Sequence, residues 1–125
     1  MSEARLLDDS PMADPYSIPL EQIDVAQAPL FQRDAHWRYF ERLRREDPVH
    51  YCAESPFGPY WSVTKFNDIM YVDTHHHIFS SEGGIVIGDE DEDFQLPMFI
   101  AMDPPKHDVQ RKVVAPVAGP RNLAA

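Results

Sequence analysis

Met102-Asp103-Pro104-Pro105-Lys106-His107-Asp108-Val109-Gln110-Arg111 is the stretch on which the reading of this chain turns. Two adjacent prolines suit the entry to a helix, because proline lacks the N–H that a first helical turn leaves unpaired anyway. The spacing predicts a helix from about Pro105 to Ala115, with Asp103 just ahead of it and Pro116 at its end. His107 and Arg111 are four apart and therefore share a face. A guanidinium donates in a planar fork that matches a carboxylate, and imidazole can donate from either ring nitrogen. The pair is suited to gripping a bound group that carries carboxylates. The same spacing also occurs on solvated helix faces, so spacing alone leaves both readings open. Val109, Val113 and Val114 are expected to pack.

Working upstream, a helix is expected from about Ala35 to Glu46, with Asp34 as its cap and Trp37, Phe40 and Leu43 as its apolar stripe. Arg44 and Arg45 in its last turn complement the helix dipole, and Pro48 enforces the stop. Strands are expected at Val49 to Ala53 and Tyr60 to Thr64, joined by a turn containing Pro56, Gly58 and Pro59. A second helix follows from Lys65 to Val72, capped by Thr64.

Three other runs attract attention. His75-His76-His77 cannot converge on one ion from a helix, where ligands stand three or four apart. Gly83-Gly84-Ile85-Val86-Ile87-Gly88 lacks the spacing and the Lys-Ser/Thr ending of a phosphate-binding loop. Asp89-Glu90-Asp91-Glu92-Asp93 lacks the alternation and the glycine of a calcium loop, and reads as solvated.

Asp-Pro-Pro-x-His-x-x-x-Arg resembles the helix C signature of the soluble bacterial haem-thiolate monooxygenases, the cytochrome P450 family. Tyr39-Phe40-Glu41-Arg42-Leu43-Arg44, Asp47-Pro48-Val49-His50-Tyr51 and Tyr60 to Ile69 resemble the family's first helix, first hairpin and second helix, in that order. Phe79-Ser80-Ser81-Glu82 and Phe99-Ile100-Ala101-Met102-Asp103 continue the series. The whole run most resembles the bacterial branch that hydroxylates the terminal carbon of alkanes and fatty acids.

The resemblance implies a mainly α fold with a small β-sheet portion (α+β), the N-terminal part of the P450 fold. Residues 30–125 would hold helix A, the first hairpin, helix B, the B–C loop and helix C, truncated thereafter. It implies haem b as cofactor, with His107 and Arg111 on the propionates and Ile100 beside them. It implies an aliphatic substrate, and electrons from a ferredoxin and its reductase or a similar donor. The loop covering the substrate pocket would supply Ile85, Val86, Ile87, Leu96, Met98 and Phe99 as wall candidates. The family's axial cysteine, in a Phe-x-x-Gly loop, has no counterpart here, nor do its oxygen-activating Thr and its Glu-x-x-Arg pair. No catalytic residue and no metal ligand is therefore assigned, and the chain alone is expected to be inactive.

Composition sets the outer bounds. With 125 residues, 43% of them apolar, the chain suffices for one domain core. The formal charge of −10 argues against nucleic acid, which needs clustered Lys and Arg. The single cysteine fits a reducing, cytoplasmic setting. No stretch approaches the ~20 apolar residues of a membrane span, and no secretory leader is visible. Residues 1–29 are acidic and interrupted by Pro11, Pro15, Pro19 and Pro29, and are expected to form a mobile arm. A different reading of the whole makes it an acidic, non-catalytic module that binds haem or a partner.

Overall fold

The computed structural model describes residues 11–88 and 97–124. The chain divides into two compact units, one comprising residues up to 55 with 59–64, the other 56–58 with residues from 65 on. The fold is mainly helical with one two-stranded sheet, as the resemblance implies.

The first unit begins with two 3-10 turns, Pro15–Ser17 and Leu20–Gln22, followed by α1 (Ala28–Gln32) and α2 (His36–Glu46). Strands β1 (Val49–Cys52) and β2 (Tyr60–Val63) then pair antiparallel, with His50 opposite Ser62 and Tyr51 opposite Trp61. Strand β1 shows the expected period of two: His50 and Cys52 are buried while Val49 and Tyr51 face out. Ile23, Val25, Leu30, Tyr39 and Leu43 form the core.

Part of the segment expected to be a mobile arm, residues 11–29, is docked on this core. Residues 1–10 lie outside the described part, but Ile23 is fully buried and Val25 nearly so. Two apolar residues in a polar stretch are enough to dock it, because Tyr39, Arg42, His50 and Tyr60 satisfy its backbone. The Tyr39 hydroxyl donates to the Ala13 carbonyl at 2.7 Å. Arg42 donates through Nη1 to the carbonyls of Pro15 and Ile18, and through Nε to Glu46 at 2.8 Å. His50 Nε2 donates to the Ile23 carbonyl at 3.0 Å, while its Nδ1 meets Asp47 Oδ2 at 2.9 Å. The Tyr60 hydroxyl accepts from the N–H groups of Val25 and Ala26 and donates to Asp24.

Two details of α2 also differ from expectation. Its buried face carries Tyr39, Arg42 and Leu43, whereas Trp37 is 64% exposed. The Tyr39–Leu43 pair follows the four-residue helical repeat, and docking of the N-terminal segment selects that face. Asp34 does not cap α2. It adopts a left-handed conformation, φ 54°, and its carboxylate accepts from the Trp37 indole N–H at 2.9 Å.

The second unit holds α3 (Phe66–Thr74), a 3-10 turn at Phe99–Ala101, α4 (Lys106–Val114) and the short α5 (Pro120–Leu123). Thr64 does not cap α3, because its hydroxyl donates to the Pro48 carbonyl, across the hairpin ends, at 3.1 Å. Helix α4 starts and stops where its prolines predict, and Pro105 supplies its N-cap position. Its valines do not form the expected packing stripe: Val109 and Val113 are 66% and 75% exposed, and Val114 is also exposed.

Candidate anion-anchoring face on helix α4

Within the second unit, α4 carries both residues singled out as anchors. His107 lies in its first turn and Arg111 in its last. The imidazole is half-buried. Nδ1–H donates to Asp108 Oδ1 at 2.9 Å, and the edge of the ring meets Phe99, with centroids 6.0 Å apart at 65°. That contact brings the 3-10 turn against the helix and restricts the ring from one side. With Nδ1 engaged, Nε2 carries no hydrogen bond among the described residues. Asp108 responds to the same contact: its carboxyl is held below the ordinary carboxylate range, first by the His107 hydrogen bond and then by the charges of His107 and Lys112.

Arg111 is exposed, and no ion pair engages its guanidinium among the described residues. In contrast, Arg42 in the first unit is buried and fully committed to Glu46 and two carbonyls. A guanidinium one turn from an imidazole nitrogen, both unengaged among the described residues, can donate to two acidic groups, or to one group with two acidic arms.

The start of α4 is fixed by Asp103, a residue whose role the sequence reading missed. Its Oδ1 accepts from the Ser81 N–H at 2.8 Å, and the Ser80 hydroxyl donates to its Oδ2. Its backbone carbonyl accepts from the His107 N–H at 3.1 Å. The signal available in sequence was an Asp ahead of a helix, which suggests a cap. Here the carboxylate turns away from its own helix to a segment twenty-two residues upstream.

The pocket candidates are spread out. Ile85, Val86 and Ile87 lie in a bent stretch and are exposed, and Ile100 is exposed within its 3-10 turn. Met98 and Phe99 are half-buried, and Phe99 contacts the His107 ring. Leu96 and the acidic run lie outside the described residues. In the first unit an open cleft of about 210 Å³ is lined by Met12, Asp14, Trp37, Arg38 and neighbours, none of them a pocket candidate. The histidine run is used locally: His75 stacks on Tyr71 with centroids 4.0 Å apart and donates through Nδ1 to the Tyr71 carbonyl at 2.7 Å.

Comparison with known proteins decides the family. Linalool 8-monooxygenase of Pseudomonas putida is 34% identical over 116 residues, covering 83% of this chain and 28% of that protein. The solved structure of CYP153D17 from Sphingomonas sp. PAMC 26605 superposes with a TM-score of 0.77 at 39% identity, covering 85% of this chain and 28% of the other. This chain belongs to the cytochrome P450 family. A methyl-branched lipid omega-hydroxylase of Mycobacterium bovis, 28% identical over 120 residues, matches 88% of this P450 chain and 28% of its own length. The chain thus spans a little over a quarter of the relatives it matches. No family profile matches it. Among the described residues, no helix of this P450 chain is long and apolar enough to cross a membrane.

The P450 family implies haem, and the residues present fit its acidic arms but not its iron. His107 Nε2 and the Arg111 guanidinium, unengaged among the described residues, are donors of the kind that acidic arms require. Cys52, the only cysteine, is 3% exposed, and its thiol donates to the Glu54 carbonyl at 3.3 Å. A buried thiol with a backbone partner is not poised as a ligand.

Proposed function

We propose that this chain supplies the propionate-anchoring part of a monooxygenase that hydroxylates an aliphatic substrate, an alkane or a fatty acid. The observation that carries the proposal is the pairing on α4 of an imidazole nitrogen and a guanidinium that no other group engages among the described residues. Haem b, when bound, supplies oxygen activation at its iron, with electrons from a ferredoxin-type donor. The chain's own residues bind and orient. Arg111 would fork onto a propionate, and His107, its ring set by Asp108 and Phe99, would donate to a propionate from Nε2 in its doubly protonated form. Each charge-assisted bond contributes about 1.5–3 kcal/mol. Ile85, Val86, Ile87, Met98 and Phe99 would line the space for an apolar chain, with Ile100 on the haem side, and each buried CH₂ there would contribute about 0.8 kcal/mol. The names of two relatives, a linalool monooxygenase and a lipid omega-hydroxylase, favour that substrate class. The chain by itself would not turn over substrate, since it offers no thiolate to the iron.

Titrating the chain with hemin tests this reading. His107→Ala and Arg111→Ala should each weaken binding by about tenfold or more, and Cys52→Ser should leave the absorption spectrum unchanged. Unaltered affinity in both α4 variants would defeat the proposal. A spectrum typical of two axial histidines would instead identify a non-catalytic haem-binding module.

A further inference from the structure

We propose that Asp103 is a positioning residue for the haem anchors, latching the segment that follows α3 onto the start of α4 and so setting where His107 and Arg111 stand. The proposal rests on the haem reading above. Asp103 acts in two directions. Its carboxylate takes the Ser80 hydroxyl and the Ser81 N–H, and its carbonyl takes the N–H of His107. The anchor histidine is therefore one backbone hydrogen bond from the latch. Ser80 extends the grip, its hydroxyl oxygen accepting from the Glu82 N–H at 3.0 Å. The carboxylate thereby holds two consecutive residues of one segment, with Ser80 turning the chain as it leaves.

The rest of the first turn needs such a device. Pro104 and Pro105 bring no N–H group, and α4 has no side-chain cap. Helix position is thus set from outside the helix, and the residue that sets it precedes His107 by four. The charge state supports the same role. The Asp103 carboxyl is held below the ordinary carboxylate range by the Ser80 and Ser81 hydrogen bonds, with the charges of His76 and His107 adding to the effect. A depressed carboxyl contributes above its unfolded value and loses that contribution as pH falls through the folded one. The latch is therefore closed at neutral pH and opens only in acid.

Two measurements on the full chain test the latch. In the first, the Ser81 amide proton is followed by nuclear magnetic resonance. It should hold its position down to mild acid and move only below the ordinary carboxylate range, and Asp103→Asn should abolish that step. In the second, hemin is titrated into variants. Asp103→Leu should weaken binding by about tenfold, whereas Asp103→Asn, which keeps an acceptor oxygen, should restore most of the affinity. Ser80→Ala is the milder lesion and should cost about threefold alone and nothing further on top of Asp103→Leu. Wild-type affinity in Asp103→Leu, with losses retained in His107→Ala and Arg111→Ala, overturns the latch and leaves the haem reading standing. A chain that takes up no hemin at all defeats the haem reading and, with it, Asp103 as a haem-positioning residue. The Ser81 amide then reports separately whether the latch forms.

Discussion

A single guanidinium, that of Arg42, ties the N-terminal segment of the first unit to α2. It is buried, it receives the Pro15 and Ile18 carbonyls, and it stands over the Tyr16 ring at 5.6 Å. Arg42→Ala would strand those carbonyls and remove the charge that faces Glu46. Stability to urea should fall by about 2–4 kcal/mol, and trypsin should cut sooner at Arg33, beyond the released segment. Arg42→Lys should recover little, since an ammonium cannot reproduce the fork. Tyr60 is a second such residue. Burial pushes its phenol well above the ordinary value, and the hydrogen bond to Asp24 pushes the same way. A raised phenol contributes fully below its unfolded value near 10 and loses that contribution as pH rises through the folded value. Tyr39 is shifted the same way by burial, so absorbance at 295 nm should show two late-ionising tyrosines, reduced to one in Tyr60→Phe. That variant should also lose about 1–3 kcal/mol through the stranded N–H of Val25, while the Ala26 N–H keeps the Asp24 carboxylate at 2.9 Å.

At the scale of elements, local chemistry reads well and tertiary choice reads poorly. The two strands of the hairpin, the stop at Pro48 and the span of α4 follow from turn residues and proline placement, which act within a few residues. The caps do not. Asp34, Thr64 and Asp103 each have the side chain of a cap and each spends it elsewhere, on Trp37, Pro48 and the Ser80–Ser81 segment. The competing partner in the last two cases is distant in sequence, so no local pattern announces it. The buried face of α2 was hidden for the same reason, because Ile23 and Leu30 select Leu43 and Tyr39 over Trp37. Leu43→Ala should cost about 2–5 kcal/mol by leaving a cavity in that core. Trp37→Ala should cost far less, a contrast that chemical denaturation of the two variants would measure. That His107 and Arg111 share one short helix was legible from their spacing. The setting of the His107 ring was not, since that depends on where Asp108 and Phe99 place it.

For the molecule as a whole, the outstanding property is how much apolar surface stays in water. Trp61, Phe66, Val113, Val117 and Leu123 are each more than 60% exposed. Patches of this kind drive association and weaken cooperativity. We expect the chain to bind a hydrophobic dye when native and to melt over a broad range in calorimetry, with a sharp two-state transition counting against this. Family membership agrees with such faces, since each relative carries far more chain than this one.

Asp34 turns the backbone between α1 and α2 through a left-handed step that side chains other than Asn, Asp and Gly rarely adopt. The connection behaves as a keyed joint whose length encodes the azimuth of the next helix. Excising that one residue would spin α2 by about 100° about its axis. Leu43 would then rotate off Ile23, and the indole of Trp37 would sweep toward the place it vacated. Single-residue indels here should thus be less tolerated than bulky substitutions, the reverse of ordinary surface connections.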